Sequence, residues 1–150
     1  MPKPKPEPRL ALIGFTGSRS FPDPNLIDDG LMDVWHDALE DGYDGIELIH
    51  GDADGADSIA DAWAMRHGVP RRRRPADWDG PCAANCPQGH RRINRRGSEY
   101  CPLAGHRRNQ QMVDEGPVLV VAAHHANSSG TADCMRRAKA AGIPIYRLAA

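Results

Sequence analysis

The alternation of short apolar runs with amphipathic segments constrains the fold of this chain more than any other feature of its sequence. Apolar runs predict strands at residues 10–15, 46–50, 117–123 and 143–148, and a weaker strand interrupted by arginines begins at Val69. Apolar residues at helical spacing predict helices at residues 25–41, 56–67, 103–115 and 128–141, the first of them capped by Asn25. We therefore predict an α/β fold, a Rossmann-like three-layer sandwich with a mostly parallel sheet.

The length of 150 residues fits one domain with its own hydrophobic core. We expect this single domain to cover residues 9–150, with a glycine-, proline- and cysteine-rich insertion at residues 79–102 and a disordered proline-rich tail at residues 1–8. No apolar run approaches the roughly 18 residues that span a bilayer, so we expect no membrane partner. The N-terminus lacks the apolar segment of a signal peptide, which favours a cytoplasmic location.

Charge is strongly segregated along the chain, although the formal net charge is only -1. Residues 21–65 contain many carboxylates and no lysine or arginine, whereas residues 71–108 are rich in arginine. This asymmetry indicates either a site for an anionic partner or two solvated surfaces of opposite charge. The arginines of the insertion make nucleic-acid binding one alternative function, but Tyr100 is the only aromatic residue there, which disfavours base stacking.

Three predicted strands end in glycine-rich turns that lead into helices. Ligands bind outside the carboxyl ends of parallel strands, and glycine lets a phosphate approach the backbone, so these turns predict one phosphate-binding site. The candidate contacts are Gly14, Thr16, Gly17, Ser18 and Arg19 in the first turn, Gly51, Asp52, Asp54 and Gly55 in the second, and Ser129, Gly130 and Thr131 in the third. Asp52 and Asp54 suit sugar hydroxyls; with Asp57 they are alternatively ligands for Mg²⁺ or Ca²⁺, or caps of the second helix. His50 is expected to face this site.

The insertion carries a candidate metal site, Cys82-x3-Cys86-x3-His90-x10-Cys101. Thiolates and an imidazole in a segment without a core of its own are typical of structural zinc, and four protein ligands leave no open position for catalysis. His106, five residues after Cys101, is the alternative fourth ligand. The other interpretation is three unrelated free thiols. Cys134 lies far from this segment in sequence and is expected to be a small buried apolar residue.

Five motifs occur in order along the chain: GFTGSR at residues 14–19, HGDADGAD at 50–57, ADW at 76–78, RNQQM at 108–112 and SGTAD at 129–133. Together they resemble the SLOG superfamily (Smf/DprA and LOG-like proteins), above all its YspA/YpsA-related branch, which is common in actinobacteria and their phages. The resemblance runs from about residue 9 to residue 148. It implies a Rossmann-like fold that binds nucleotides or nucleotide-derived signals, and a homodimer is consistent with it.

The resemblance also suggests which residues hold the ligand. In LOG enzymes, which cleave the N-glycosidic bond of nucleoside monophosphates, an arginine at a helix start and a loop with glycine and threonine bind and catalyse. These positions correspond to Arg108, which Asn109 follows, and to Gly130 and Thr131. The catalytic glutamate has no counterpart, since Cys134 occupies its position and Asp133 precedes it by one residue. We therefore expect binding or sensing of a nucleotide, NAD or an ADP-ribose-like ligand, with hydrolysis by Arg108 and Asp133 as the alternative.

Overall fold

The computed structural model describes residues 6–149, and residues 1–5 of the predicted tail lie outside this range. The strands are β1 (Leu10–Gly17), β2 (Gly45–His50), β3 (Arg71–Arg73), β4 (Arg92–Ile93), β5 (Glu99–Tyr100), β6 (Leu119–Ala123) and β7 (Ile145–Arg147). The helices are α1 (Pro24–Glu40), α2 (Ala56–Arg66), α3 (Ala104–Asp114) and α4 (Ser129–Ala140). The predicted alternation of strands and helices is confirmed.

Five of the strands form one parallel sheet in the order β3-β2-β1-β6-β7. The chain builds outward from β1 through β2 to β3, and then returns to the other side of β1 with β6 and β7. The strand order therefore reverses between β1 and β6, where Gly17 lies beside Ala123 at the ends of the two strands. In open parallel sheets, the crevice beyond such a reversal is the usual place for a ligand.

Helices cover both faces of this sheet. The main core contains Leu31 of α1 and Trp63 of α2, packed with Val121 of β6. A smaller cluster joins Val120 of β6 to Val113 of α3 and to the buried side of α4. Neighbouring residues of a strand point to opposite faces, so Val120 and Val121 belong to different clusters. The fold is thus the predicted Rossmann-like α/β arrangement, and no helix within residues 6–149 is long and apolar enough to cross a bilayer.

Asp23 caps α1, so the prediction of Asn25 as the cap was wrong. The Asp23 carboxylate accepts hydrogen bonds from the backbone N–H groups of Asn25 and Leu26. Pro24 occupies the first helical position, where its missing N–H has no helical partner to lose. A helix that begins at Pro24 puts the residue before it, Asp23, in the capping position.

Arginines form β3, the strand that the sequence indicated only weakly, and this strand begins at Arg71 rather than at the predicted Val69. The strand lies at the edge of the sheet beside β2. Three arginines in and just after it make ion pairs across the fold: Arg71 with Asp61, Arg72 with Glu47 and Arg74 with Glu115. These three arginines are therefore neutralised by carboxylates of the chain itself, whereas Arg73 is exposed and makes no ion pair within residues 6–149.

The segment between β3 and α3 contains a short hairpin that the sequence did not predict. Strands β4 and β5 pair antiparallel, with Arg92 opposite Tyr100. Asn94 closes the turn between them, because its side-chain oxygen accepts hydrogen bonds from the N–H groups of Arg96 and Ser98. Strands of two residues show no detectable periodicity in a sequence, which explains why this hairpin was missed.

Candidate functional site

A cavity of about 640 Å³ opens at the carboxyl ends of the strands, beside the reversal between β1 and β6. All three glycine-rich turns contribute to its wall, together with the start of α3 and Trp78. Of the predicted ligand contacts, the residues that line it are Thr16, Gly17, Ser18, Arg19, Gly51, Asp52, Asp54, Arg108, Asn109, Ser129, Gly130 and Thr131. The fold therefore brings together turns that are separated by more than a hundred residues in the sequence.

The first turn is fixed to the end of β6 by Ser18. Its backbone N–H donates to Ala123 O at 2.9 Å, and its hydroxyl accepts from the N–H of His125 at 2.8 Å and donates to His125 O at 3.1 Å. Ser18 is only 1% exposed, so its hydroxyl is engaged within the protein. The next residue, Arg19, is exposed, and within the described part of the chain its guanidinium makes no hydrogen bond or ion pair. Arg19 is therefore the side chain of this turn that is available to an anion.

The second turn is held in shape from beneath by His50. Asp52 has a left-handed backbone with φ of 53°, and its N–H donates to His50 Nδ1 at 3.0 Å. His50 Nε2 lies 2.8 Å from a carboxylate oxygen of Asp61, which also pairs with Arg71. Contrary to expectation, His50 does not face the cavity: its side chain is fully buried and supports the turn from the interior.

Asp57, at the start of α2, lines the cavity, whereas the sequence indicated it only as a metal ligand or a helix cap. The residue is 4% exposed. One carboxyl oxygen accepts from the N–H of Ala53 at 3.2 Å, whereas the other, Oδ1, is buried without a partner within residues 6–149. Burial raises the pKa of Asp57 to about 6, although His50 and Arg108 oppose the shift. Buried polar atoms normally have partners, so this carboxyl is chemically distinct from the exposed acids of the same turn.

Arg108 connects the second turn with α3. Its Nη1 donates to Gly51 O at 2.5 Å, and its Nε donates to the side-chain oxygen of Asn109 at 3.0 Å. A side chain at Gly51 would overlap the guanidinium, so glycine is required there for this contact. Among the described residues, Arg108 Nη2 makes no hydrogen bond, so this nitrogen of the guanidinium is available to a ligand in the cavity.

Asn109 connects α3 with the third turn. Its amide nitrogen donates to Gly130 O at 3.1 Å and to Asp133 Oδ2 at 3.0 Å. Helix α4 begins at Ser129, and Ser128 makes no side-chain capping bond to its first N–H groups. Ser129 and Gly130 are exposed at the cavity. The start of α4 therefore presents uncapped backbone donors and the positive end of a helix dipole to a ligand.

Three predicted site residues lie outside the cavity wall: Gly14, Gly55 and Asp133. Gly14 packs against Val120 in the sheet, and Gly55 adopts a φ of 83° against the backbone of Arg19. Asp133 is buried, which disfavours its charge, but hydrogen bonds from Arg137 and Asn109 outweigh burial and hold its pKa below the ordinary value. Its carboxylate is thus engaged within the protein, and its predicted catalytic role stays a prediction.

The four predicted metal ligands meet in space. The ligand atoms of Cys82, Cys86, His90 and Cys101 all lie within 4.8 Å of one another. Cys101 Sγ is 3.4 Å from His90 Nε2 and 4.0 Å from Cys86 Sγ, and the cysteines form no disulfide among the described residues. His106, the alternative ligand, lies on the cavity wall instead. Three sulfurs and one imidazole nitrogen at these separations are compatible with a single metal ion.

The cysteine cluster is directly connected to the cavity wall. Arg107 Nη1 donates to the sulfurs of Cys86 and Cys101 at 3.3 and 3.4 Å. The N–H of Cys101 donates to Trp78 O at 2.9 Å, and Trp78 lines the cavity. Cys134, in contrast, is buried in α4, and burial raises its pKa to about 11, as expected for an inert thiol.

The chain has recognisable relatives. Residues 12–80 match a family model described as the YspA, cpYpsA-related SLOG family. This match covers the first two glycine-rich turns and ends before Cys82. The chain is also 36% identical over 136 residues to the Gene 61 protein of Mycobacterium phage D29, which covers 87% of this chain and 90% of that protein. Because it covers 87% of the chain, the second match extends the similarity beyond residue 80, into the part that contains the cysteine cluster and α3.

Proposed function

The chain belongs to the YspA, cpYpsA-related SLOG family, and on this premise we propose that it binds a nucleotide-derived ligand in the cavity beyond β1 and β6. The observation that carries the proposal is the convergence of three glycine-rich turns and two arginines on one cavity of about 640 Å³. Such a volume is in the range of sites for small molecules and cofactors. Nucleotides, NAD and ADP-ribose-like molecules share the phosphate and ribose groups that this wall suits.

The wall supports separate positions for phosphate and sugar. Arg19 and the Nη2 side of Arg108 supply positive charge without competing partners in the described structure, and the uncapped start of α4 supplies backbone donors. Asp52 and Asp54 of the second turn are exposed acceptors on the cavity wall and suit ribose hydroxyls. We assign the phosphates to the arginine side of the cavity for this reason.

Calorimetric titration with AMP, NAD and ADP-ribose tests this proposal. Arg19→Ala removes an exposed guanidinium that supports no other part of the described fold, so we expect a loss of affinity of about tenfold or more for the ligand that binds. Arg147→Ala, on the edge strand β7, is the matched control and should leave affinity unchanged. Absence of heat with all three compounds, in protein whose circular dichroism shows the fold intact, would refute the proposal.

The carboxyl of Asp57 on the cavity wall supports a second candidate function, which is hydrolysis of a nucleotide N-glycosidic bond. That reaction needs a carboxyl group that activates water or stabilises the developing positive charge on the sugar. Asp57 lies on the cavity wall, whereas Asp133 is bonded to Arg137 and Asn109. Chromatographic detection of free base from nucleoside monophosphates tests this function: Asp57→Asn should abolish release and Asp133→Asn should retain part of it. No release of base from any nucleoside monophosphate would contradict it.

We propose further that the cysteine cluster holds a structural zinc ion through Cys82, Cys86, His90 and Cys101. Four such ligands complete a tetrahedron, and the bound ion would stabilise a segment that buries few apolar side chains. Elemental analysis of protein purified without chelator should give about one equivalent of zinc. Cys82→Ser should lower that content, while Cys134→Ser, outside the cluster, should not; a wild-type protein without zinc would contradict the assignment.

A further inference from the structure

The hairpin of β4 and β5 exposes three arginines that the chain itself does not neutralise. Arg92, Arg95 and Arg96 are exposed and make no ion pair within residues 6–149. Other arginines of the region have local partners: Arg91 donates to Gly80 O and lies 3.6 Å from a carboxylate oxygen of Glu99. We call residues 91–100 the arginine hairpin.

The backbone of the arginine hairpin is held at both ends and at its tip. His90 immediately precedes it and Cys101 immediately follows it, and both belong to the cysteine cluster. At the tip, Asn94 accepts the N–H groups of Arg96 and Ser98 at 2.9 and 3.1 Å. Because the backbone is ordered in advance, less conformational entropy is lost when the three guanidinium groups contact a charged partner.

An aromatic pair connects the arginine hairpin with the wall of the ligand cavity. The rings of Trp78 and Tyr100 meet edge to face, with centroids 6.2 Å apart. Tyr100 is opposite Arg92 across the hairpin, and Trp78 is 37% exposed on the cavity wall. The sequence placed only Tyr100 in the insertion, and the fold adds Trp78 from outside it. Positive charge and an exposed aromatic surface are therefore neighbours.

We infer that this surface binds single-stranded nucleic acid. Arginines bind the phosphates of a strand, and unstacked bases lie on aromatic rings, which is the general mode of single-strand recognition. The surface fits a lipid membrane less well, since Ile93 is the one large apolar side chain exposed on the arginine hairpin. A duplex would offer its phosphates but not its stacked bases. The three arginines lie outside the cavity wall and Trp78 belongs to it, so a variant that lacks only the arginines tests this inference separately from the proposed small ligand.

Fluorescence anisotropy with a labelled oligothymidylate of about 20 nucleotides tests the inference. We expect binding at low salt that weakens as salt increases. The variant Arg92→Ala/Arg95→Ala/Arg96→Ala should bind at least about tenfold more weakly and with a smaller salt dependence, because it has lost up to three phosphate contacts. Arg147→Ala, which removes one exposed arginine elsewhere, should bind like the wild type.

Three comparisons complete the design. A duplex of the same length should bind more weakly than the single strand, and vesicles containing anionic lipid should not compete with the oligonucleotide. The triple variant should still bind the nucleotide with unchanged affinity, which shows that its fold is intact. If the wild type binds no nucleotide, an unchanged circular dichroism spectrum of the triple variant serves the same purpose. The inference is overturned by absence of binding at low salt, by full binding of the triple variant, by preference for duplex, or by effective competition from vesicles.

Discussion

The carboxyl of Asp57 is predicted to lower the stability of the folded protein at neutral pH. It is buried at the start of α2 with one oxygen bonded to Ala53 N–H and the other without a partner in the described structure. The loss of stability has a physical cause: a buried carboxylate loses its hydration, and one backbone hydrogen bond does not replace it. Asp57→Asn keeps an oxygen for Ala53 and removes the charge.

The magnitude follows from the pKa. A rise from the ordinary value of 3.8 to about 6 corresponds to about 3 kcal/mol, at about 1.4 kcal/mol per pKa unit. Between these two values the folded protein retains a proton at Asp57 that the unfolded chain has lost. The folded state therefore binds more protons, and its stability falls as pH rises through this window and then becomes constant above it. At neutral pH the folded protein is therefore destabilised by the full amount.

Urea unfolding of the wild type and of Asp57→Asn, at a series of pH values from about 4 to 7.5, measures this effect. The stability of the variant relative to the wild type should increase by most of about 3 kcal/mol across the series. Titration of groups that do not interact with Asp57, including the cysteine cluster, affects both proteins alike and cancels in the difference. Asp54→Asn, at an exposed position of the same turn, should follow the wild type. A constant difference between wild type and Asp57→Asn at all pH values would refute the reasoning.

Three further predictions concern the framework of the site. Ser18→Ala should lower the free energy of unfolding by about 1–3 kcal/mol, because the N–H of His125 loses its hydroxyl partner; a loss below about 0.5 kcal/mol in urea titrations would contradict this. Gly55→Ala should cost more stability than Gly42→Ala, since both glycines have positive φ but only Gly55 abuts the backbone of Arg19; equal losses would count against the close contact. Removal of metal with a chelator should speed hydrogen exchange in residues 79–102 while the amides of α1 and α2 keep their protection, and equal loss in both regions would contradict a local structural role.

The sequence alone determined the features that depend on local pattern. Apolar periodicity and glycine-rich turns indicated the strand–helix alternation, and with the motifs they led to the α/β fold and the SLOG family, both of which are confirmed. The spacing of Cys82, Cys86, His90 and Cys101 indicated a ligand set that the structure brings together. These predictions succeed because burial of a strand or helix face, and reach within a short loop, are encoded by residues close to one another in the chain.

Only the tertiary structure decided which polar groups have partners. Asp57 could be a helix-start acid or a site residue on sequence grounds, and its buried oxygen without a partner becomes visible only when the second turn closes over it. Asp133 is bound by Asn109 and Arg137 and lies outside the cavity wall, and Arg71, Arg72 and Arg74 gain carboxylates from other elements. The contact of Ser18 with His125 spans 107 positions. Hydrogen bonding and desolvation depend on such distant neighbours, so the shape of the cavity and the charge of its wall follow from the fold rather than from any local pattern.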